Sequence, residues 1–176
     1  MARGLSLLEL VIMIAVVSLV ISLSLPNLQS LYISTKVRAL ATELTGFLLL
    51  ARSEAIWRNR TLWIHLTNVS ESSANVSQST AKSRLILLLT NSEEQGQGEV
   101  IRKLDMERFA GLIFEWNYTS DKLYFTGYRG RVKSGSFYFY PVPYPNRKLR
   151  LTTSFGGNRV MICGLGASFY GYPKCR

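Results

Sequence analysis

The chain has 176 residues, 47% of them hydrophobic and 18% charged, with a net charge of +10, two cysteines and one histidine. That length suffices for one domain with a real core, and the composition excludes a disordered tail. There is no C-x-x-C, no Ser/His/Asp order and no paired-carboxylate cluster, so neither a metal centre, a cofactor nor an enzyme is expected.

The chain opens on RGLSLLELVIMIAVVSLVISLSLPN, Arg3 to Asn27. Leu5 to Leu25 is an almost unbroken apolar run, long enough to cross a bilayer as a helix. Glu9 stands inside it with no basic residue within helical reach. An unpaired carboxylate there costs a few kcal/mol, so it calls for a purpose. A secretory signal peptide would be shorter, free of acid, and followed by a small-residue cleavage site. Ser24-Leu25-Pro26-Asn27 is no such site, and an ordinary anchor has no use for Glu9.

The spacing of Gly4, Leu5 and Glu9 resembles the type III signal of type IV pilins and pseudopilins, which a prepilin peptidase cuts after the glycine. The resemblance implies cleavage between Gly4 and Leu5, N-methylation of Leu5, and Glu9 as the fifth mature residue. It also places Pro26 where many pilins carry a helix-kinking proline, consistent with its missing N–H. Glu9 would then pair with the α-amino group of a neighbouring subunit during filament assembly. Opposite charges attract far more strongly in low dielectric than in water, so the pairing favours the assembled state. Arg3 holds the leader on the cytoplasmic side by the positive-inside rule, with the rest of the chain across the membrane.

From Asn27 to Arg60 the helix continues with a changed face. Leu28, Leu31, Val37, Leu40, Leu44, Phe47, Leu48, Ala51 and Ala55 recur at threes and fours, with charged residues between them. Arg58 to Thr61 ends it. Short apolar or alternating runs follow at Leu62–Leu66, Arg84–Leu89, Val100–Leu104, Leu112–Trp116, Leu123–Phe125, Ser136–Tyr140, Leu149–Thr153 and Arg159–Cys163, the signature of antiparallel strands. Thr67 to Ser83 is polar and of low complexity and reads as a mobile hairpin loop, with Asn91 to Gly98 a second loop. Gly127, Gly130 and Gly135 read as hairpin turns, and His65 as a satisfied structural histidine in an apolar strand.

The run LLLARSEAIWRNRTLWIHL, Leu48 to Leu66, resembles the GspH/FimT family of minor pseudopilins and pilins, as do the stretches from Leu123 and from Leu149. The resemblance implies an α+β, type IV pilin-like fold: one long N-terminal helix, membrane-spanning in its first half, packed on a small antiparallel β-sheet domain. The expected organisation is a leader over 1–4, a transmembrane and filament-core helix over 5–25, its amphipathic continuation over 26–60, and a β-rich head over 61–176. DNA-binding members carry a C-terminal Gly-Arg-x-Arg motif. The stretch aligned with it here is Gly157-Asn158-Arg159-Val160-Met161, which keeps one arginine and has Met161 for the other. Gly130-Arg131-Val132-Lys133 has the right chemistry at a different strand boundary. In an oxidising compartment Cys163 and Cys175 are free to form a disulfide across a short loop.

The charge is unevenly placed. Residues 1–121 hold eleven basic and eleven acidic side chains, whereas residues 122–176 hold ten basic and none acidic. Seven of the nine tyrosines lie in that basic region. Basic residues interleaved with aromatics suit a polyanion with stackable bases, and Arg129, Arg131, Lys133, Arg147, Lys148, Arg150 and Arg159 are the candidate DNA contacts. A basic face matching an acidic neighbour in the filament is the other reading. Two functions follow: a minor pilin of a type IV pilus, binding double-stranded DNA for natural transformation, or a minor pseudopilin of a type II secretion system. Expected partners are other major and minor pilins or pseudopilins, prepilin peptidase and the bacterial inner membrane. The expected location is a single pass with the head in the periplasm, then the pilus or pseudopilus.

The leader reading makes a first prediction. Gly4→Val leaves the precursor uncut in the membrane, whereas N-terminal sequencing of the unaltered protein reads from Leu5. A mature chain that starts further on contradicts it.

Overall fold

The computed structural model describes residues 6–69, 78–79, 84–155 and 159–175. One helix, α1, occupies Leu7–Trp57, and the chain divides into two units, Met1–Thr35 and Lys36–Arg176. In the first unit every large apolar side chain from Leu7 to Ile21 is at least 53% exposed. A helix apolar on all sides and bare to water is one that lipid or other helices must cover. Its polar groups are turned inward: Ser18 Oγ donates to Ile14 O at 2.7 Å, and Ser22 Oγ to Ser18 O at 2.8 Å. Among the described residues, no helix is long and apolar enough to cross a membrane. The apolar run of the sequence includes Leu5 and residues 23–25, whose side chains lie outside the description. The kink expected at Pro26 and the cleavage site at Gly4–Leu5 also fall outside it.

In the second unit α1 becomes one-sided. Val37, Leu40, Ala41, Leu44, Phe47, Leu48, Ala51 and Ala55 are buried, a stripe at helical spacing. The expected stripe began earlier, at Leu28 and Leu31, but both belong to the first unit and are exposed. The helix stops on a Schellman motif. Asn59 takes φ +48°, its N–H bonds to Ile56 O at 3.0 Å, and Arg60 N–H bonds to Ala55 O at 3.1 Å. Asparagine is among the few residues other than glycine that adopt this conformation cheaply.

Among the described residues nine strands follow: β1 Leu62–Val69, β2 Gln78–Ser79, β3 Arg84–Thr90, β4 Val100–Asp105, β5 Leu112–Trp116, β6 Lys122–Phe125, β7 Gly135–Pro141, β8 Leu149–Ser154 and β9 Arg159–Gly164. All eight expected runs are strands, most of them longer by a residue or more. They form two antiparallel sheets, ordered β4-β3-β1-β6 and β2-β5-β7-β8-β9. Two expected loop boundaries are corrected. Thr67, Asn68 and Val69 extend β1 because they pair with Ile86, Leu85 and Arg84, and Thr67 Oγ1 bonds to Ile86 O. Gln78 and Ser79 pair with Glu115 and Phe114. Residues 70–77 and 80–83 of the polar stretch lie outside the described residues.

The core of the first sheet is Leu62, Ile64, Leu66, Leu87, Leu89, Leu123 and Phe125, all nearly inaccessible. His65 is buried on the opposite face of β1, and its Nε2–H donates to Ser92 O at 3.0 Å, the satisfied role expected of it. Asn91 Oδ1 accepts the Glu99 N–H, closing the second loop. In the second sheet Phe137 lies 5.3 Å from Phe114 and 4.8 Å from Tyr118, ring centre to ring centre. Tyr118 Oη is bonded to Thr153 Oγ1, which donates to Lys133 O, and burial pushes the phenol well above its usual pKa.

Gly135 is not in a turn as expected. It is the first residue of β7, and a Cβ there would overlap the Tyr118 ring. Gly127 does sit in a turn, where a Cβ would strike the backbone of Asn59 and Arg60. The Cys163–Cys175 disulfide forms, with Cα atoms 4.9 Å apart. It ties the C-terminal segment beside β9, where Gly164 N–H also bonds to Pro173 O and Cys175 N–H to Gly164 O.

Three measurements test this packing. Reducing the disulfide, whose cysteines are 12 apart in sequence, costs about 3 kcal/mol in urea unfolding, and the oxidised protein shows no reactive thiol. Gly127→Ala costs about 3 kcal/mol because backbone must move. Gly46→Ala, where the new methyl meets open space in mid-helix, instead gains up to about 1 kcal/mol.

Candidate functional site

The strand ladder sorts the candidate basic residues. Along β8 the outward positions are Arg150, Thr152 and Ser154, paired with Cys163, Met161 and Arg159 of β9. The β7–β8 loop and the β8–β9 turn lie at opposite ends of β8, about 17 Å apart at the rise of a strand. Arg147 and Lys148 belong to the first end, and Arg159 to the second.

At the β7–β8 end one of the charges is committed to a carboxylate. Lys148 Nζ lies 3.0 Å from Glu115 Oε2 and 4.3 Å from the centre of the Tyr140 ring. Tyr140 donates to the other Glu115 oxygen, and its pKa is pushed up to about 12 by burial and by that carboxylate. Arg147 is exposed and stacks on Tyr144 at 4.8 Å. Arg150 lies half-buried on the sheet, with Nη2 4.0 Å from Cys163 Sγ and a buried Nε that has no partner among the described residues. Lys133, whose carbonyl accepts from Thr153 toward the other end of β8, has its Nζ held by Thr119 O at 2.6 Å. Lys122, also in the acid-free region, pairs with Glu93 at 2.9 Å across the first sheet's edge.

The β8–β9 end is different. Phe125 and Val132 form a bridge, and the loop between them is closed by Thr126 N–H to Arg131 O at 2.9 Å and Gly130 N–H to Thr126 O at 2.8 Å. Arg131 N–H adds a bond to Thr126 Oγ1 at 3.0 Å. This loop and Phe155 line an open depression of about 400 Å3 formed by Thr126, Tyr128, Arg129, Arg131 and Phe155. The Arg129 guanidinium sits 5.2 Å from the Tyr128 ring, and that of Arg131 sits 5.1 Å from Phe155. Arg159 and Met161 are both exposed at the start of β9. The structure thus brings Arg129 and Arg131 together, sets Arg159 at the same end of β8, and separates them from Arg147 and Lys148.

The charge count missed the helix's share of this end. Gly130, at φ +58°, lies against Ile56 Cδ1 and the Arg52 side chain, and Gly127 against the Asn59–Arg60 backbone. The end of α1 therefore brings Arg52 and exposed Arg60 to a loop some seventy residues later. Trp57, next to Ile56, is 85% exposed. A tryptophan followed by two arginines, in WRNR, was the available signal. Glu9 lies in the first turn of α1 and is exposed. Among the described residues no cluster of His, Cys, Asp and Glu could hold a metal ion.

The family described as type II transport protein GspH matches residues 40–157. Type IV minor pilin FimU of Pseudomonas aeruginosa PAO1, in two crystal forms, superposes with TM-scores of 0.55 and 0.52 at 19% and 18% identity. Each covers 75% of this chain, and the chain covers 94% and 99% of theirs. The minor pseudopilin EpsH of the Vibrio cholerae type 2 secretion system gives 0.47 at 14% identity, over 73% of this chain and 97% of its own. No protein of curated function matches. The FimU likeness shows the α+β pilin fold, with a long helix packed on antiparallel sheets. Together with the family match over most of its length, this makes the chain a member of the GspH family.

Proposed function

We propose that the protein is a minor pilin of a type IV pilus whose head binds double-stranded DNA at the β8–β9 end. The observation that carries the DNA reading is the gathering there of Arg129 and Arg131 with Arg159 nearby, in a region of sequence free of acid. Guanidinium groups held against rings keep a fixed direction, and phosphate neutralisation requires cations but no base information. The departure at Met161 leaves the aligned motif with a single arginine.

Assembly rests on the other unit. The exposed apolar half of α1 supports an inner-membrane anchor before assembly and a helical filament core with other pilins afterwards. Glu9 within it gives each subunit a reason to pair with the α-amino group that prepilin peptidase uncovers at Leu5, methylated or not, since methylation keeps the amine basic. The family match supports a second reading, a minor pseudopilin of a type II secretion system that binds no DNA. Both use the same leader and the same helix.

Two experiments separate these. Glu9→Leu inserts into the membrane as well as the unaltered chain, yet its share in sheared filaments falls. Equal incorporation removes the pairing role. In detergent, the mature chain binds duplex DNA without sequence preference, with a log–log salt slope of about 0.9 per phosphate contacted. Arg131→Ala or Arg159→Ala lowers that slope by about one, and Lys148→Ala leaves it nearly unchanged because Glu115 already engages that charge. No binding of either duplex or single-stranded DNA at low salt selects the secretion reading.

A further inference from the structure

The β8–β9 end carries more aromatic surface than phosphate binding requires. Tyr128 is 82% exposed, Phe155 42%, and Trp57 stands on the last turn of α1, beside the residue that Gly130 packs against. Large rings left in water at an otherwise polar surface cost solvation unless a ligand covers them, and such patches mark binding sites. Each of the two rings has a guanidinium near its face and keeps part of its surface open to solvent. Duplex DNA offers phosphates to this surface but keeps its base faces stacked on one another. Unpaired bases offer both a phosphate and a π-face, which is the combination that Tyr128 with Arg129 and Phe155 with Arg131 would match.

We infer that this end is a stacking site for single-stranded DNA, in which Tyr128 and Phe155 each take an unpaired base while Arg129 and Arg131 neutralise the adjoining phosphates. The inference deepens the nucleic-acid reading of the same end and rests on it. The platform is preformed. The loop from Thr126 to Arg131 is closed by its own hydrogen bonds, and Gly130 sits on Ile56 and Arg52, where a side chain would not fit. A rigid loop does not pay ordering entropy when the ligand arrives. Stacking on a ring face is tolerant of base identity, so the site takes any sequence, with a preference for strands that stack poorly on themselves.

The test uses the full mature chain in detergent and three probes of equal length: oligo-dT, the same deoxyribose-phosphate strand lacking its bases, and a blunt duplex. Oligo-dT is expected to bind at least about tenfold more tightly than the abasic strand, because the two differ only in stackable bases. Tyr128→Ala and Phe155→Ala each remove much of that difference, weakening oligo-dT binding several-fold more than duplex or abasic binding. Both side chains are exposed, so the variants keep the fold, which an unchanged melting temperature checks. Equal affinity for oligo-dT and the abasic strand overturns the stacking site while leaving duplex binding intact. Tighter binding of oligo-dT with no duplex binding upholds the stacking site and overturns the duplex reading. Aromatic variants that weaken all three probes equally also overturn it, since the rings would then serve only to hold the arginines.

Discussion

The head depends on a buried stripe of α1 running from Val37 to Ala55. Three of its residues, Ala41, Ala51 and Ala55, are small enough to let backbone approach closely, and Leu44, Phe47 and Leu48 fill the space between. The helix is not held by apolar burial alone. Lys36 Nζ reaches Ala110 O, Arg38 Nε donates to Tyr170 O at 2.8 Å, and Glu43 meets Arg108 at 3.1 Å. These polar ties flank the stripe and engage the connection before β5 and the C-terminal segment. The Schellman end at Asn59 then turns the chain into β1, and Gly127 packs on that turn. The same turn therefore ends the helix and seats the loop that carries Arg129 and Arg131.

Edge strands shape the rest. β4 shows charged Arg102 and Lys103 to solvent, which discourages pairing with another chain. β9 closes the other sheet and has the disulfide-tied C-terminal segment beside its last residues. Its inward residues Val160 and Ile162 line a groove with Ala41, Thr45, Leu49 and Tyr172, while Arg159 and Met161 face outward. Strand alternation alone thus decides that one arginine of the aligned motif is presented and that its missing companion is an exposed methionine.

The net charge is distributed in two different ways. Lys122 and Lys148 are tied to carboxylates, and Lys133 to a backbone carbonyl, so they serve packing as much as the surface field. Partly exposed pairs of this kind add little stability, but the one between Lys148 and Glu115 lowers the free charge at the β7–β8 end. At the β8–β9 end Arg129 and Arg131 lie against rings that orient them, as Tyr144 does Arg147 at the other end.

Much of this protein was decided by local chemistry and was readable along the chain. The apolar run with Glu9, the helical stripe of the second half, the eight main strands and the acid-free region of residues 122–176 all depend on neighbours in sequence. The strand periods and the polar breaks between them act over a few residues, so pattern was enough. What pattern could not carry was pairing. Nothing in the runs themselves says that β6 joins β1 while β5, β7, β8 and β9 share a second sheet, or that Gln78 and Ser79 lie beside Glu115. Those choices set which basic residues meet. Arg129 and Arg147 are near in sequence yet lie at opposite ends of β8, whereas Arg52 is distant and lies against Gly130. The reason is physical: charge and aromatic content are properties of composition, but their convergence is set by long-range packing, here by two glycines that let a loop close on the end of a helix.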